Sequence, residues 1–478
     1  MAADMGSGKY LLLVNLPGET HRTPEEHCGL AFIRSFMERC GVEAQILDAY
    51  AFHGDDDYCF AEFDKWLVER RGGERFVGLS PFVSSHGHLE AFGEYVRQKD
   101  KDCTIFAGGH YATLNKERLI RQLHWLDAIV VGEGEFSVKE LVEKGRKILV
   151  QGVYSRGFES QFSPRPRIKD LDVLPWQSRY LTPAQLHGQP FSITTSRGCY
   201  GDCSFCSIAS FYKCNTPAIR QTFRSAKSVS DEIHALVDNF GIESLKIVDD
   251  NFFRADDDGF LRELVGRVED LHLNYRLSAR PNDITAERAQ LLKRMGVSVV
   301  AIGVESANAG SLRVFRKGID LATSERAIEI LGDVGITCLA NFIMFDPVID
   351  IAGLKANCEF VLRHVEDCVF HRINSHLWIR MTDPIVDDLV RMGLCDRSGF
   401  PYLECSYRHP EVRRIREIFD ERCEVDMDRY YRNADIVMAK GIGGNEGNFQ
   451  IVKEMTRADA HALANLIERV EKNPGACK

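Results

Sequence analysis

The run Ser196-Arg197-Gly198-Cys199-Tyr200-Gly201-Asp202-Cys203-Ser204-Phe205-Cys206 decides how this chain is read. Its cysteines are spaced Cys-x3-Cys-x2-Cys, and an aromatic residue stands just before the third. Cysteine thiolates hold iron–sulfur clusters, and a 4Fe–4S cube normally takes four of them. Three ligands on one short loop leave one iron open. Zinc is the competing reading, but zinc sites pair Cys-x2-4-Cys with a second pair of ligands further on. No such pair is obvious here, and Cys214, eight positions after Cys206, is the nearest thiol for a fourth ligand.

An open iron can bind the amine and carboxylate of S-adenosylmethionine (SAM). The cluster then passes it an electron and breaks its sulfonium–carbon bond. The motif resembles the signature of the radical SAM enzymes, whose aromatic beside the third cysteine matches Phe205. The resemblance implies that Cys199, Cys203 and Cys206 ligate a 4Fe–4S cluster.

At 478 residues the chain should hold two or three domains, each with its own core. Charged residues at 27% and hydrophobic residues at 44% describe an ordinary globular protein rather than a disordered one. The net charge of −10 argues against nucleic acid as the main partner. No run is apolar enough for a transmembrane helix, and Met1 to Lys9 has no apolar stretch of a signal peptide. Fifteen cysteines without such a signal imply a reducing, cytoplasmic setting, which suits an oxygen-sensitive cluster.

The first 145 residues alternate two periodicities. Tyr10–Asn15, Val42–Ala49, Phe76–Ser80, Thr104–Gly108 and Ala128–Gly132 read as strands. Pro24–Cys40, Tyr58–Arg70, His88–Gln98 and Asn115–Gln122 read as helices. Such alternation predicts a doubly wound, Rossmann-like parallel sheet that binds ligands beyond its carboxyl ends. Those ends carry Ser80-Pro81-Phe82-Val83-Ser84-Ser85, Gly108-Gly109-His110-Tyr111-Ala112-Thr113 and Gly132-Glu133-Gly134-Glu135. Glycines there let a ligand approach the backbone; ordinary turn chemistry is the plainer reading of any one of them.

Together these stretches look like the cobalamin-binding domain found ahead of many radical SAM domains, over residues 9–145. The resemblance implies cobalamin contacts at Ser80, Phe82, Ser84, Ser85, Gly108, Gly109, His110, Thr113, Gly132, Glu133 and Gly134. The Asp-x-His-x-x-Gly motif that supplies a cobalt-ligating histidine is absent from Leu16–Arg22. His21, His27, His53, His86 and His88 are therefore expected at the surface or in structural roles. The pattern resembles the radical SAM methylases, with no histidine on the lower face of the corrin and a residue of the Phe82–Ser85 turn covering it.

Residues 146–190 read as a proline-rich linker, with five of the 15 prolines between Pro164 and Pro190. Alternation restarts over 191–385. Phe191–Ser196, Ser244–Val248, Tyr275–Ala279, Ser298–Val304, Thr337–Met344 and Ile373–Ile379 are the expected strands of an open (β/α)6 barrel, with chemistry at their carboxyl ends. Arg224-Ser225, Asp249-Asp250-Asn251, Ile302-Gly303-Val304-Glu305-Ser306 and Lys317-Gly318 extend the radical SAM resemblance. It implies that Glu305 and Ser306 hold the ribose or amino-acid end of SAM, and Arg280 its carboxylate or ribose. Asp249, Asp250 and Asn251 stand where the family often has Gly-Gly-Glu for the SAM amine, and proximity to substrate is the other reading.

Residues 386–478 carry no assignable motif and are expected to form a mainly helical, substrate-binding cap. Lys440–Asn448 is glycine-rich, Arg457–Lys472 reads as an amphipathic helix, and Cys395, Cys405 and Cys423 are widely spaced. No catalytic acid or base is assignable. The combined resemblance implies a cobalamin-dependent radical SAM methyltransferase acting on an unactivated carbon or phosphorus of a natural product or peptide, fed by an external low-potential electron donor. The alternative on the same scaffold is a cyclase or rearrangement enzyme without methyl transfer.

Overall fold

The computed structural model describes residues 8–18, 25–70, 72–145, 149–255, 257–370, 372–424 and 446–472. His21 and the glycine-rich stretch up to residue 445 lie outside them. The chain divides into two compact units, Met1–His187 with Ser210–Phe223, and Gly188–Ala209 with Arg224–Lys478.

In the first unit, apolar runs such as Leu11–Val14 are buried on both faces and pair as a sheet, as parallel strands covered by helices must be. The strands are β1 (Lys9–Asn15), β2 (Glu43–Asp48), β3 (Glu74–Leu79), β4 (Thr104–Ala107), β5 (Ala128–Val130) and β6 (Val153–Ser155). Their order is β2-β1-β3-β4-β5-β6, parallel except for β6. β1 lies between β2 and β3, with Leu11 opposite Ala44 and Phe76. This is the doubly wound order whose switch point falls between β1 and β3. The helix Cys28–Arg39 begins four residues later than its periodicity suggested. The segment read as a linker is not simply extended chain. It supplies β6, which pairs with β5 through Val153 opposite Val130, and it buries Val153, Ile168, Leu171 and Leu174 in the unit's core.

The second unit is built on six strands: Phe191–Ile193, Ser244–Ile247, Asn274–Ala279, Val297–Glu305, Thr337–Phe342 and Cys368–Phe370. They lie side by side in chain order, all parallel. Helices between them show their caps in the sequence. Ser225 accepts from the Ser228 amide at the start of Ala226–Phe240, and left-handed Gly241 ends it. Val229, Ile233 and Leu236 form that helix's buried stripe.

The sixth strand is Cys368–Phe370, upstream of the expected Ile373–Ile379. Its three residues are fully buried and pair in register with Cys338, Leu339 and Ala340. A run this short offers too few residues to show a period, whereas Ile373–Ile379 alternates visibly and instead forms the rim beyond it. The last helix, Glu446–Lys472, is longer than read. Its Val452 and Phe449 pack on Val299, Ala301, Leu339 and Val369 of the sheet, and the Cys358 thiol donates to the Ala460 carbonyl at 3.1 Å.

Candidate functional site

The cysteine loop leaves the carboxyl end of the first barrel strand, and its neighbours fix it from both sides. Before it, the Asp249 carboxylate accepts from the Thr195 amide (2.7 Å), the Thr195 hydroxyl (2.5 Å) and the Ser196 hydroxyl (2.9 Å). Asp250 accepts from the Gly198 amide at 2.9 Å. Arg224, paired with Glu232 in the interior, also donates to the Thr194 carbonyl at 2.8 Å. After it, Ser204 donates through its hydroxyl to Val314 (2.6 Å) and through its amide to Phe315 (2.8 Å), and its carbonyl accepts from the Ile385 amide (2.8 Å). Phe205 stands edge-on to Phe315 at 5.2 Å, and the Phe205 carbonyl accepts from Arg380 at 3.1 Å.

Asp249 and Asn251 thus have structural work in a place expected to face SAM or substrate. Asn251 is fully buried. It accepts from the Arg280 amide (3.0 Å) and donates to Asp283 (3.0 Å), tying the second strand's end to the third. Burial pushes the Asp249 carboxyl up to about 6, against the pull of its hydroxyl and amide donors. A folded-state value above the ordinary 3.8 means that the folded chain binds this proton more tightly than the unfolded one. Stability therefore falls as pH rises between about 4 and 6. Asp249→Asn is expected to remove up to about 3 kcal/mol of that fall. Urea denaturation of both proteins across that pH range checks it; parallel pH profiles would contradict it.

Arg280 brings the third strand's end onto the loop. Its guanidinium reaches the Cys203 sulfur at 3.5 Å and the Lys317 carbonyl at 2.6 Å, and lies 5.3 Å over the Tyr200 ring. Gly201 leaves room for the same guanidinium, since a Cβ there would push against its end. The Gly201 amide points at the Cys199 sulfur, 3.3 Å away.

Glu305 ends the fourth strand at φ 67, the left-handed region that non-glycine residues avoid. The pairing register shifts beside it. Its carboxylate meets the Lys317 ammonium at 2.8 Å, both nearly buried. A Cβ at Gly303 would strike both groups, so that glycine keeps the pair in place. Ser306 points elsewhere: its buried hydroxyl donates to Asn357 at 2.9 Å.

The loop fits an iron–sulfur cluster, whose thiolate and sulfide sulfurs carry negative charge, by its cation and its donors. Burial pushes the Cys206 thiol up to about 11 and the Cys199 thiol up as well, so both stay protonated until iron supplies the compensating charge. Among the described residues no three candidate ligands stand at coordinating distance of one point. The fit rests on the loop, on Arg280 and on the Gly201 amide. Tyr200, Lys317, Asn357 and Arg380 take no role from sequence alone, although Tyr200 lies in the cysteine run and Lys317 within Lys317-Gly318.

Residues 193–360 match the model of the Radical SAM superfamily. Over that stretch the chain is similar to the radical SAM superfamily. Such a domain works with a 4Fe–4S cluster and SAM. The chain is 29% identical over 343 residues to an uncharacterized methyltransferase of Pyrococcus horikoshii, spanning 70% of this chain and 72% of that protein. It is 26% identical over 317 residues to an anaerobic magnesium-protoporphyrin IX monomethyl ester cyclase of a Synechocystis species, spanning 63% of this chain and 62% of that protein. Two solved structures share the fold. The cobalamin-dependent SAM radical enzyme OxsB, with aqua-cobalamin and SAM bound, has a TM-score of 0.74 at 15% identity over 96% of this chain and 78% of its own. The radical SAM methyltransferase TsrM of Kitasatospora setae, with tryptophan and a SAM analogue bound, has 0.66 at 17% over 83% and 80%.

In the first unit, the residues read as corrin contacts divide. At the carboxyl ends of β3 and β4, Phe82 is 46% exposed, Ser84 half-buried, and a Cβ at Gly108 would meet nothing closer than 3.7 Å. Gly109 has φ 81, with the Ser80 hydroxyl beside it. This edge fits a flat macrocycle laid against the backbone. The remainder have partners of their own. Ser85 caps the turn through the Phe82 amide at 2.8 Å. Thr113 accepts from the Gly132 amide at 3.0 Å, and Glu133 accepts from the Ile168 amide at 2.8 Å. His110 packs on Phe211 at 3.9 Å, and Gly134 is approached by Ile33.

The described histidines are engaged locally. His27 accepts from the Leu30 amide through Nδ1 (3.2 Å), which leaves Nε2 to donate to Ser80 (3.0 Å). His86 bonds Tyr111 and His88 bonds Asp56, each at 2.9 Å. No described helix is long and apolar enough to cross a membrane. Cys395 and Cys405, far apart in sequence, are antiparallel bridge partners.

Proposed function

We propose that this protein is a cobalamin-dependent radical SAM methyltransferase that acts on an unactivated carbon or phosphorus of a natural-product or peptide substrate. The observation that carries the reading is the three-cysteine loop at the barrel's carboxyl end, anchored on Asp249 and Ser204 and faced by Arg280. Cys199, Cys203 and Cys206 would hold the 4Fe–4S cluster, which when bound supplies the electron that cleaves SAM. Arg280 would sit against the cluster's sulfur and offset its charge. Glu305, held by Lys317, would accept hydrogen bonds from SAM. Asp250, exposed at the second strand's end, braces the cysteine loop through the Gly198 amide. Tyr200, whose hydroxyl is bonded to Asp283 at 2.6 Å, would hold the Arg280 plane in place.

Cobalamin would lie on the edge made by Ser80, Phe82, Ser84, Gly108 and Gly109, and when bound it supplies the methyl group. Both nitrogens of His27 are engaged, which supports a lower face covered by Phe82 rather than ligated by histidine. OxsB and TsrM, named for cobalamin dependence and for methyl transfer, support the pairing of these cofactors. The cyclase relative favours the second reading, reaction on the same scaffold without methyl transfer.

Product analysis separates the two. Anaerobic protein reconstituted with iron, sulfide and cobalamin is given SAM, a low-potential reductant and candidate substrates. Equal amounts of deoxyadenosine and S-adenosylhomocysteine per methylated product support methyl transfer. Deoxyadenosine with a rearranged, unmethylated product supports the cyclase reading, and protein without bound corrinoid removes cobalamin from both.

A further inference from the structure

The rim beyond the sixth strand carries an aromatic face. His376 pairs with Phe345 past the fifth strand, and Arg380 pairs antiparallel with Tyr402. Between these points burial alternates, as in extended chain. Leu377 and Ile379 enter the apolar cluster that also packs Phe205 of the cysteine loop. His376, Trp378 and Arg380 take the opposite side. Arg380 reaches back to the Phe205 carbonyl at 3.1 Å, between the second and third cysteines. Trp378 is two residues from Arg380 on the same side, one extended-chain repeat from a side chain that reaches the cysteine loop.

Trp378 is the most open tryptophan in the chain, at 53% exposure. Trp66 and Trp125 are buried, and Trp176 is 40% exposed. Its ring is flanked by His376 at 4.6 Å and 35°, and by Tyr402 at 5.1 Å and 56°. Burial and the nearby Arg416 and Arg372 guanidinium groups hold the His376 imidazole down to about 4. Near neutrality all three rings are uncharged. Both neighbouring rings are tilted against the indole, and its exposure leaves surface for a further ring, which aromatic quadrupoles accept offset-stacked or edge-on.

We propose that Trp378, set between His376 and Tyr402, is a stacking wall for a planar aromatic ring of the substrate. The chemistry done on that ring rests on the radical SAM reading; the binding does not. A saturated chain would gain less from this wall, because it brings no π face to the indole. The ring can belong to a free heterocycle or to an aromatic side chain of a peptide.

Saturation-transfer NMR on the full chain, loaded with cluster, tests it with three probes: indole, Gly-Phe-Gly and octahydroindole. Saturable binding of indole or of the peptide is expected, and the tighter of the two identifies the source. Trp378→Ala should weaken it by about tenfold or more, the scale of one lost stacking contact. Trp378→Phe should keep most of it, and Trp176→Ala all of it. Octahydroindole should bind much more weakly. Absence of binding by both aromatic probes, indifference to Trp378→Ala, or equal binding of octahydroindole would each overturn the proposal. Repeating the titration with Cys203→Ala separates it from the radical reading, since the wall stands apart from that thiol. Binding in both proteins with SAM cleavage in neither would leave the wall standing and the radical chemistry refuted.

Discussion

Cys203→Ala is expected to lower SAM cleavage by on the order of 10^4 or more, the scale at which an essential group is lost. Cys203 is the most buried of the three thiols, and Arg280 lies 3.5 Å from it. The loop around it does not depend on that sulfur for its shape. Ser204, the next residue, is pinned through its hydroxyl, amide and carbonyl to Val314, Phe315 and Ile385. Phe205 is packed against Phe315. The variant should therefore fold, melt near the parent protein, and lose both the brown cluster absorbance and deoxyadenosine formation. Iron counting, visible spectra and product assays check this together. Retained cleavage would mean that other thiols, Cys214 first among them, ligate the iron.

Lys317→Met is expected to cost about 3–5 kcal/mol of stability, because it strands a nearly buried carboxylate. Glu305 and Lys317 are 2.8 Å apart with side chains 11% and 6% exposed. Glu305 already holds a left-handed backbone, a strain of order 1–3 kcal/mol that the surrounding structure must overcome. Removing the ammonium leaves that strain and adds an unpaired charge. Glu305→Gln with Lys317→Met should recover much of the loss, since the stranded charge is then gone. Denaturant titration of the single and double variants reads this directly. SAM affinity separates structure from ligand binding: it should stay low in the double variant even where stability returns. Equal stability of Lys317→Met and the parent would show that water or another cation reaches Glu305.

Much of this was legible from the sequence, for physical reasons that differ by element. The first five strands of the N-terminal unit announced themselves as short apolar runs ending in turn residues, and the structure pairs all five. β6 was hidden because Val153–Ser155 is three residues long, too short to show a period, and sits in a segment that reads as linker. Cys368–Phe370 was hidden by the same brevity. Site residues split by the reach of their contacts. The three cysteines are local in sequence and were visible at once. Asp249 and Asn251 stand at a strand's end, where ligand contact and scaffold bonding look alike in a sequence. Only the donors from Thr195, Ser196 and Arg280 reveal the scaffold role. Lys317, Asn357 and Arg380 act across 12, 51 and 175 residues of chain. No local pattern carries pairings of that length.

The measurement that bears most directly on the central claim is electron paramagnetic resonance of the anaerobically reconstituted, reduced protein, with and without SAM. The account predicts a reduced 4Fe–4S signal whose g-values shift when SAM occupies the open iron, and which disappears in Cys203→Ala. A cluster signal indifferent to SAM, or a reconstituted protein that holds no cluster, would contradict it.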